Sequence, residues 1–107
     1  MAKLTVTQLI DRMRTQFGPK DISSIEGLLA IQINVTDPDG VLYVEIKDGT
    51  LSIEPYEYID RNAAVTISMD NLVKLLDKKL DPVVAFTLGK LKVDGDTGKV
   101  LALTKLI

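Results

Sequence analysis

One short segment of the sequence carries the glycines, carboxylates and lysine that phosphate and metal sites use. Gly95-Asp96-Thr97-Gly98-Lys99-Val100 resembles a phosphate-binding loop in composition. A true loop, however, has four residues between its glycines and Ser or Thr after its lysine. A calcium loop starting at Asp94 fails as well, because its twelfth position is Lys105, where a bidentate glutamate belongs. The segment therefore predicts a tight turn and a helix cap, and neither a nucleotide site nor a metal site.

Other residue types that support catalysis are scarce. The chain has no histidine and no cysteine, so it lacks the commonest general base, the commonest metal ligand and a thiolate nucleophile. No serine lies in a Gly-x-Ser-x-Gly elbow, as a hydrolase would need. Asp37 and Asp39 flank a proline, and turn formation explains them. We therefore expect no enzymatic activity, no catalytic residue, no metal and no cofactor.

The composition indicates one small domain spanning residues 1–107. Apolar residues make up 46% of the chain and charged residues 26%, which suffices for both a core and a soluble surface. The net charge of -2 argues against nucleic-acid binding, which needs a basic face. No apolar run is long enough to span a bilayer, and no signal peptide opens the chain. Together with the lack of cysteine, this predicts a cytoplasmic protein.

The first half of the sequence predicts a helix followed by three strands. Thr5 and Gln8 form a capping box, apolar residues then recur at helical spacing, and Gly18-Pro19 ends the helix. From Leu29 the apolar period becomes two, so the residues that alternate with the apolar ones, Gln32 among them, are predicted to face water. The strands form an antiparallel meander, with a hairpin turn at Asp48-Gly49.

The second half predicts two more strands and three helices. After a loop over residues 56–62 and a fourth strand, a helix is predicted with Asp70 as its cap and Lys78 and Lys79 in its last turn. Asp81-Pro82 begins a short second helix that ends at Gly89. A fifth strand and a final helix, from Gly98 to Ile107 with Asp96 or Thr97 as its cap, complete the chain. The fold class is therefore α+β, with a five-stranded, mainly antiparallel sheet packed with helices.

The helices after Asp70 carry more apolar surface than one buried stripe requires. The short second helix is apolar nearly all round, and the six apolar residues of the final helix do not share one face. A helix of this kind must be covered on more than one side. Three coverings are compatible with the pattern: the protein's own core, an apolar ligand in a cavity between helices and sheet, or a partner subunit.

The segment from Leu80 to Asp96 resembles the sterol carrier protein (type two) family. It has the Asp-Pro start, the Ala-Phe pair, the Gly-Lys-Leu-Lys block and the later Gly-Asp of that family. The order of helices and strands is similar over essentially the whole chain. The resemblance implies a hydrophobic tunnel between helices and sheet, without catalytic residues, that binds a fatty acid, acyl-CoA, sterol or phospholipid and transfers it between membranes. The residues that it implies as lipid-binding are Leu76, Val84, Phe86, Leu88, Val100, Leu101, Leu103 and Leu106.

A second function uses the same apolar surface differently. A dimerisation or accessory module would present the final helix to another protein, which makes a homodimer the alternative to a lipid carrier. A carrier is in turn expected to contact membranes transiently. Because the chain ends in Lys105-Leu106-Ile107 rather than a Ser/Ala-Lys-Leu signal, we expect no peroxisomal address.

Overall fold

A computed structural model describes residues 5–19, 22, 27–36 and 39–106. Within these residues, four helices and five strands follow one another: α1 (Val6–Phe17), β1 (Leu28–Thr36), β2 (Gly40–Lys47), β3 (Thr50–Glu54), β4 (Ala63–Ser68), α2 (Met69–Leu76), α3 (Pro82–Thr87), β5 (Leu91–Gly95) and α4 (Thr97–Thr104). The strands form one sheet in the order β3-β2-β1-β4-β5, in which β1 and β4 are parallel and the other pairs are antiparallel. The predicted α+β class and mainly antiparallel sheet are confirmed.

Helix α1 forms where its capping box predicted it. The Thr5 hydroxyl accepts a hydrogen bond from the Gln8 amide at 3.2 Å, and the Gln8 side chain accepts one from the Thr5 amide at 2.9 Å. The apolar stripe of the helix is buried against the sheet. The Arg14 guanidinium donates to the Ile53 carbonyl at 2.6 Å, which fixes α1 to the edge strand β3.

The hairpin between β2 and β3 has the predicted turn. Asp48 and Gly49 both adopt positive φ, 52° and 75°, as a two-residue type I′ turn requires. On the helix-covered face of the sheet, the apolar residues of β1, β2 and β4 are buried in one core. The predicted turn residues Asp37 and Pro38 lie outside the described residues.

The opposite face of the sheet is not fully wet, so the prediction for Gln32 was wrong. Gln32 is only 7% exposed, because the loop after β3 crosses this face. Its side chain accepts a hydrogen bond from the Tyr58 amide at 3.1 Å and donates to Asn34 at 2.9 Å. The Tyr58 hydroxyl donates to Glu45 at 2.6 Å, and its ring packs edge-on against Tyr43. A buried amide is tolerated there because its polar atoms are paired.

Two predicted features of α2 were also wrong. Its N-cap is Ser68, whose hydroxyl accepts from the Asn71 amide at 3.2 Å, and Asp70 lies within the first turn. The helix ends at Leu76, so Lys78 and Lys79 lie in the following turn rather than in the helix. A serine at the end of a strand caps as well as aspartate, and the chain can leave β4 directly into α2.

The two later helices begin as predicted. Asp81 caps α3 by accepting from the Val83 amide at 2.8 Å, and Asp96 caps α4 by accepting from the Lys99 amide at 3.2 Å. Helix α4 is shorter than predicted, since it ends at Thr104 and a turn follows. Ile107 lies outside the described residues.

Candidate functional site

A small apolar pocket lies between the sheet and helices α1, α2 and α4; we call it the inner pocket. Its volume is about 40 Å³. Its lining residues are apolar except for one threonine: Met13, Phe17, Ile33, Val65, Ile67, Leu72, Leu75, Leu76, Leu91, Val100, Leu103 and Thr104. The pocket has room for only a few water molecules, and its lining offers them almost no hydrogen-bond partner. Such a space favours apolar occupants.

The periodicity of each element explains why these side chains converge. In α2, Leu72, Leu75 and Leu76 are spaced three and four residues apart, so they share the buried face. In α4, Val100 and Leu103 are three residues apart and are likewise buried. The strands contribute alternate residues, which all point to the helix-covered face.

A second apolar depression, the outer groove, adjoins the inner pocket. It lies between α3, β5 and α4 and has a volume of about 180 Å³. Leu91, Val100 and Thr104 line both spaces. The other residues of the groove are Pro82, Val83, Phe86, Val93, Thr97 and Leu101. The shared residues therefore lie between two adjoining apolar spaces.

Helix α3 is largely uncovered. Ala85 is its buried residue, whereas Val83, Phe86 and Leu88 beside it are 59%, 50% and 62% exposed. Leu101 of α4, across the groove, is 42% exposed. Of the three coverings that the sequence left open, the protein's own described residues therefore do not cover this surface.

The two apolar spaces differ from the opposite face of the sheet in their titratable groups. Neither is lined by a titratable side chain. The tyrosines with shifted ionisation lie on the opposite face of the sheet, where burial raises the pKa of Tyr43 and the hydrogen bond to Glu45 raises the pKa of Tyr58 to about 12. Among the described residues, no group of three or more acidic side chains could hold a metal ion.

The structure distributes the predicted lipid-binding residues over four places. Leu76, Val100 and Leu103 line the inner pocket, and Phe86 and Leu101 line the outer groove, which Val100 also reaches. The remaining three line neither space: Val84 on α3 and Leu88 directly after α3 are exposed, and Leu106 is buried in the core.

Sequence reasoning missed most of the inner pocket. Met13 and Phe17 of α1 and Ile33 of β1 line it, yet they lie far along the chain from the segment that carries the resemblance. The available signal was their membership of the apolar stripes that face one side of the sheet. An apolar stripe identifies residues of the core. It does not distinguish the core residues that line a pocket from those that are packed on all sides.

No helix among the described residues is both long enough and apolar enough to cross a membrane.

Comparisons with known proteins agree on one family. The family model described as "SCP-2 sterol transfer family" matches residues 7–107. Sterol carrier protein 2 of Oryctolagus cuniculus is 28% identical over 100 residues, which cover 91% of this chain and 18% of the relative. The chain thus spans less than a fifth of the length of that relative.

Solved structures show the same fold. The solution structure of palmitated SCP2L2 from Aedes aegypti has a TM-score of 0.74 at 20% identity, covering 96% of this chain and 94% of the other. A double mutant of the sec-alkyl sulfatase PisA1 reaches a TM-score of 0.81 at 18% identity. That match covers 97% of this chain but 16% of the sulfatase, so the fold also occurs as a part of a larger enzyme.

Proposed function

Since this chain belongs to the SCP-2 sterol transfer family, we propose that it is a non-catalytic carrier that holds the apolar part of a lipid between α4, α2 and the sheet. The observation that carries the proposal is the pair of adjoining apolar spaces, lined without any titratable group. The palmitated relative from Aedes aegypti supports an alkyl chain as the occupant. The candidate ligands are a fatty acid, an acyl-CoA, a sterol or a phospholipid.

The ligand must open the site to enter it. The inner pocket and the outer groove, at about 40 and 180 Å³, are each smaller than the roughly 300–1,000 Å³ of ordinary ligand sites. Helix α4 is the element most suited to move, because it has eight residues and separates the two spaces with Val100 and Thr104. Its outward displacement would join the inner pocket to the groove.

The energetics favour moderate affinity. A chain of sixteen carbons gains roughly 12 kcal/mol on complete burial, at about 0.8 kcal/mol per methylene. The lost freedom of the ligand and the displacement of α4 remove several kcal/mol of this gain. We therefore expect a Kd near the micromolar range, about -8 kcal/mol. Such an affinity permits uptake from one membrane and release to another.

Native mass spectrometry of freshly purified protein tests the proposal. We expect a population whose added mass matches a lipid, and which loses that mass after delipidation and regains it with palmitate. Protein that never carries lipid and shows no binding of palmitate would contradict the carrier function.

A pair of variants tests the position of the ligand. Leu101 in the groove and Ile59 in the loop after β3 are both exposed apolar residues, so that replacement of either by aspartate costs little stability. We expect Leu101→Asp to weaken palmitate binding about tenfold or more and Ile59→Asp to leave it unchanged. In the inner pocket, Leu103→Asp should lower the affinity sharply. Folded Leu101→Asp and Leu103→Asp variants that bind palmitate as tightly as the parent protein would contradict the site.

The dimerisation alternative takes α4 as the protein interface, where Leu101 is 42% exposed, and it predicts a different measurement. Size-exclusion chromatography with light scattering, at two protein concentrations, gives one monomer mass for a carrier that works alone. A dimer that becomes monomeric when residues 100–107 are deleted would assign α4 to a protein interface. Loss of lipid binding in the same variant would then have to be separated from loss of the dimer.

A further inference from the structure

A third depression, the mouth pocket, lies where α2 ends and α3 begins. It has a volume of about 280 Å³, and the charged residues of its lining are Lys78, Lys79 and Asp81. Leu75 and Thr104 line it together with the inner pocket, and Thr104 also lines the outer groove. The two apolar spaces and this charged one therefore meet at one residue of α4.

The two lysines of the mouth pocket have no carboxylate partner among the described residues. The acidic side chains nearest in sequence are already engaged. Asp77 pairs with Arg12 of α1, and Asp81 accepts from the Val83 amide in capping α3. The pocket thus presents two ammonium groups and the capping Asp81 carboxylate beside an apolar opening, so that its net charge is positive.

Lys78 occupies a backbone position that favours glycine. Its φ is 60°, in the left-handed region. The amide of Lys78 donates to the Leu75 carbonyl at 3.1 Å, and that of Lys79 donates to the Lys74 carbonyl at 2.8 Å. This is the Schellman pattern of helix termination, in which glycine is the usual left-handed residue. A lysine there holds an unfavourable conformation, and such outliers motivate a functional hypothesis.

The dipole of α2 does not explain why lysine rather than glycine occupies position 78. A cation near the C-terminus of a helix is favourable, but Lys74 already lies in the last turn of α2. Glycine at position 78 with lysine at 79 would supply charge without the backbone cost.

We propose that the mouth pocket binds the anionic head group, a carboxylate or a phosphate, of an amphiphile whose alkyl chain lies in the inner pocket. This inference rests on the proposed carrier function and names its ligand class as ionised single-chain lipids. The Lys78 and Lys79 ammonium groups donate hydrogen bonds to the head group, and the chain passes between Leu75 and Thr104. Uncharged lipids with the same chain lose those contacts.

Three ligands of equal chain length test the assignment: dodecanoate and dodecyl phosphate, titrated below their micelle concentrations, and 1-dodecanol, titrated below its solubility limit. We expect the double variant Lys78→Gly/Lys79→Ala to bind the two anions about tenfold more weakly, which is about 1.4 kcal/mol. Its affinity for 1-dodecanol should change less than twofold. The matched control is Lys74→Ala, which removes a lysine of α2 that lies outside the pocket and should leave all three affinities unchanged.

Folding of the variant is checked independently. Because glycine adopts positive φ without a steric penalty, Lys78→Gly should unfold at the same temperature as the parent protein or higher. A double variant that is folded and binds all three ligands like the parent would overturn the head-group site while leaving the carrier function standing. Absence of binding by all three to the parent protein would instead overturn the carrier function itself.

Inorganic phosphate distinguishes a lipid head group from a free anion. Inorganic phosphate is titrated alone into the parent protein, up to the concentration at which dodecyl phosphate saturates the protein. It should give no measurable binding. Phosphate binding that disappears in the double variant, with unchanged affinity for dodecanoate and dodecyl phosphate, would reassign the mouth pocket to a free anion and overturn the proposal.

Discussion

Truncation of Leu103 should destabilise the free protein and strengthen its response to lipid. Leu103 is 7% exposed and lines the inner pocket from α4. Leu→Ala at such a site costs about 3 kcal/mol, through lost burial and the cavity left behind. At about 24 cal/mol per Å³, the existing void of about 40 Å³ already forfeits about 1 kcal/mol of packing. The variant therefore combines a large loss of stability with a larger space for an alkyl chain.

The matched control is Leu42→Ala in β2. Leu42 is fully buried in the same core but lines neither apolar space. The two variants should lose similar stability without ligand, because they remove the same atoms from the same core. Added lipid should fill the space left by Leu103, whereas it cannot reach the space left by Leu42.

Thermal unfolding followed by circular dichroism measures both effects. For a domain near this size, 1 kcal/mol shifts Tm by about 4–8 °C. We expect saturating dodecanoate to raise the Tm of Leu103→Ala by at least about 5 °C more than that of Leu42→Ala. The rise for Leu42→Ala should equal that of the parent protein. Equal rises for the two variants would refute the placement of the chain in the inner pocket.

Three further predictions test separate parts of the structure. Ser68→Ala should lower the free energy of unfolding by about 1 kcal/mol, as the loss of an N-cap does, and chemical denaturation measures it. Because the pKa of Tyr58 is raised to about 12 in the folded protein from an ordinary value of 10.0, its hydrogen bond to Glu45 contributes stability that is complete below pH 10. That contribution is lost as the pH rises toward 12, and Tyr58→Phe should remove this part of the pH dependence of unfolding. Leu88→Asp should weaken palmitate binding less than Leu101→Asp, because Leu88 lies outside the groove; a larger effect at Leu88 would restore the assignment that the sequence suggested.

Elements with strong local signals could be predicted from the sequence. The capping box at Thr5 fixes the start of α1, and Asp48-Gly49 fixes a hairpin, since each depends on neighbouring residues only. The parallel pairing of β1 with β4 depends on contacts between distant segments. The burial of Gln32 has the same origin, because the Tyr58 segment that covers it is distant in sequence. Periodicity reports which side a residue faces, and only the folded chain shows what lies against that side.

The candidate site was predictable to a similar degree. The excess of apolar surface on α3 and α4 correctly indicated side chains that the core does not cover, and Phe86 and Leu101 remain exposed beside the groove. The void next to Leu103 could not be read from the sequence, because a cavity depends on how several elements pack together. The mouth pocket was hidden for another reason: Lys78 and Lys79 were predicted within α2, where their side chains would serve only its dipole.

Isotope-filtered nuclear Overhauser spectroscopy on the protein with dodecanoate, labelled at the Leu and Val methyl groups, tests the central claim most directly. The account predicts contacts between the chain protons of dodecanoate and the methyl groups of Leu76, Val100 and Leu103. Contacts confined to the exposed methyl groups of Val84 and Leu88, with the inner pocket methyl groups silent and unshifted, would contradict it.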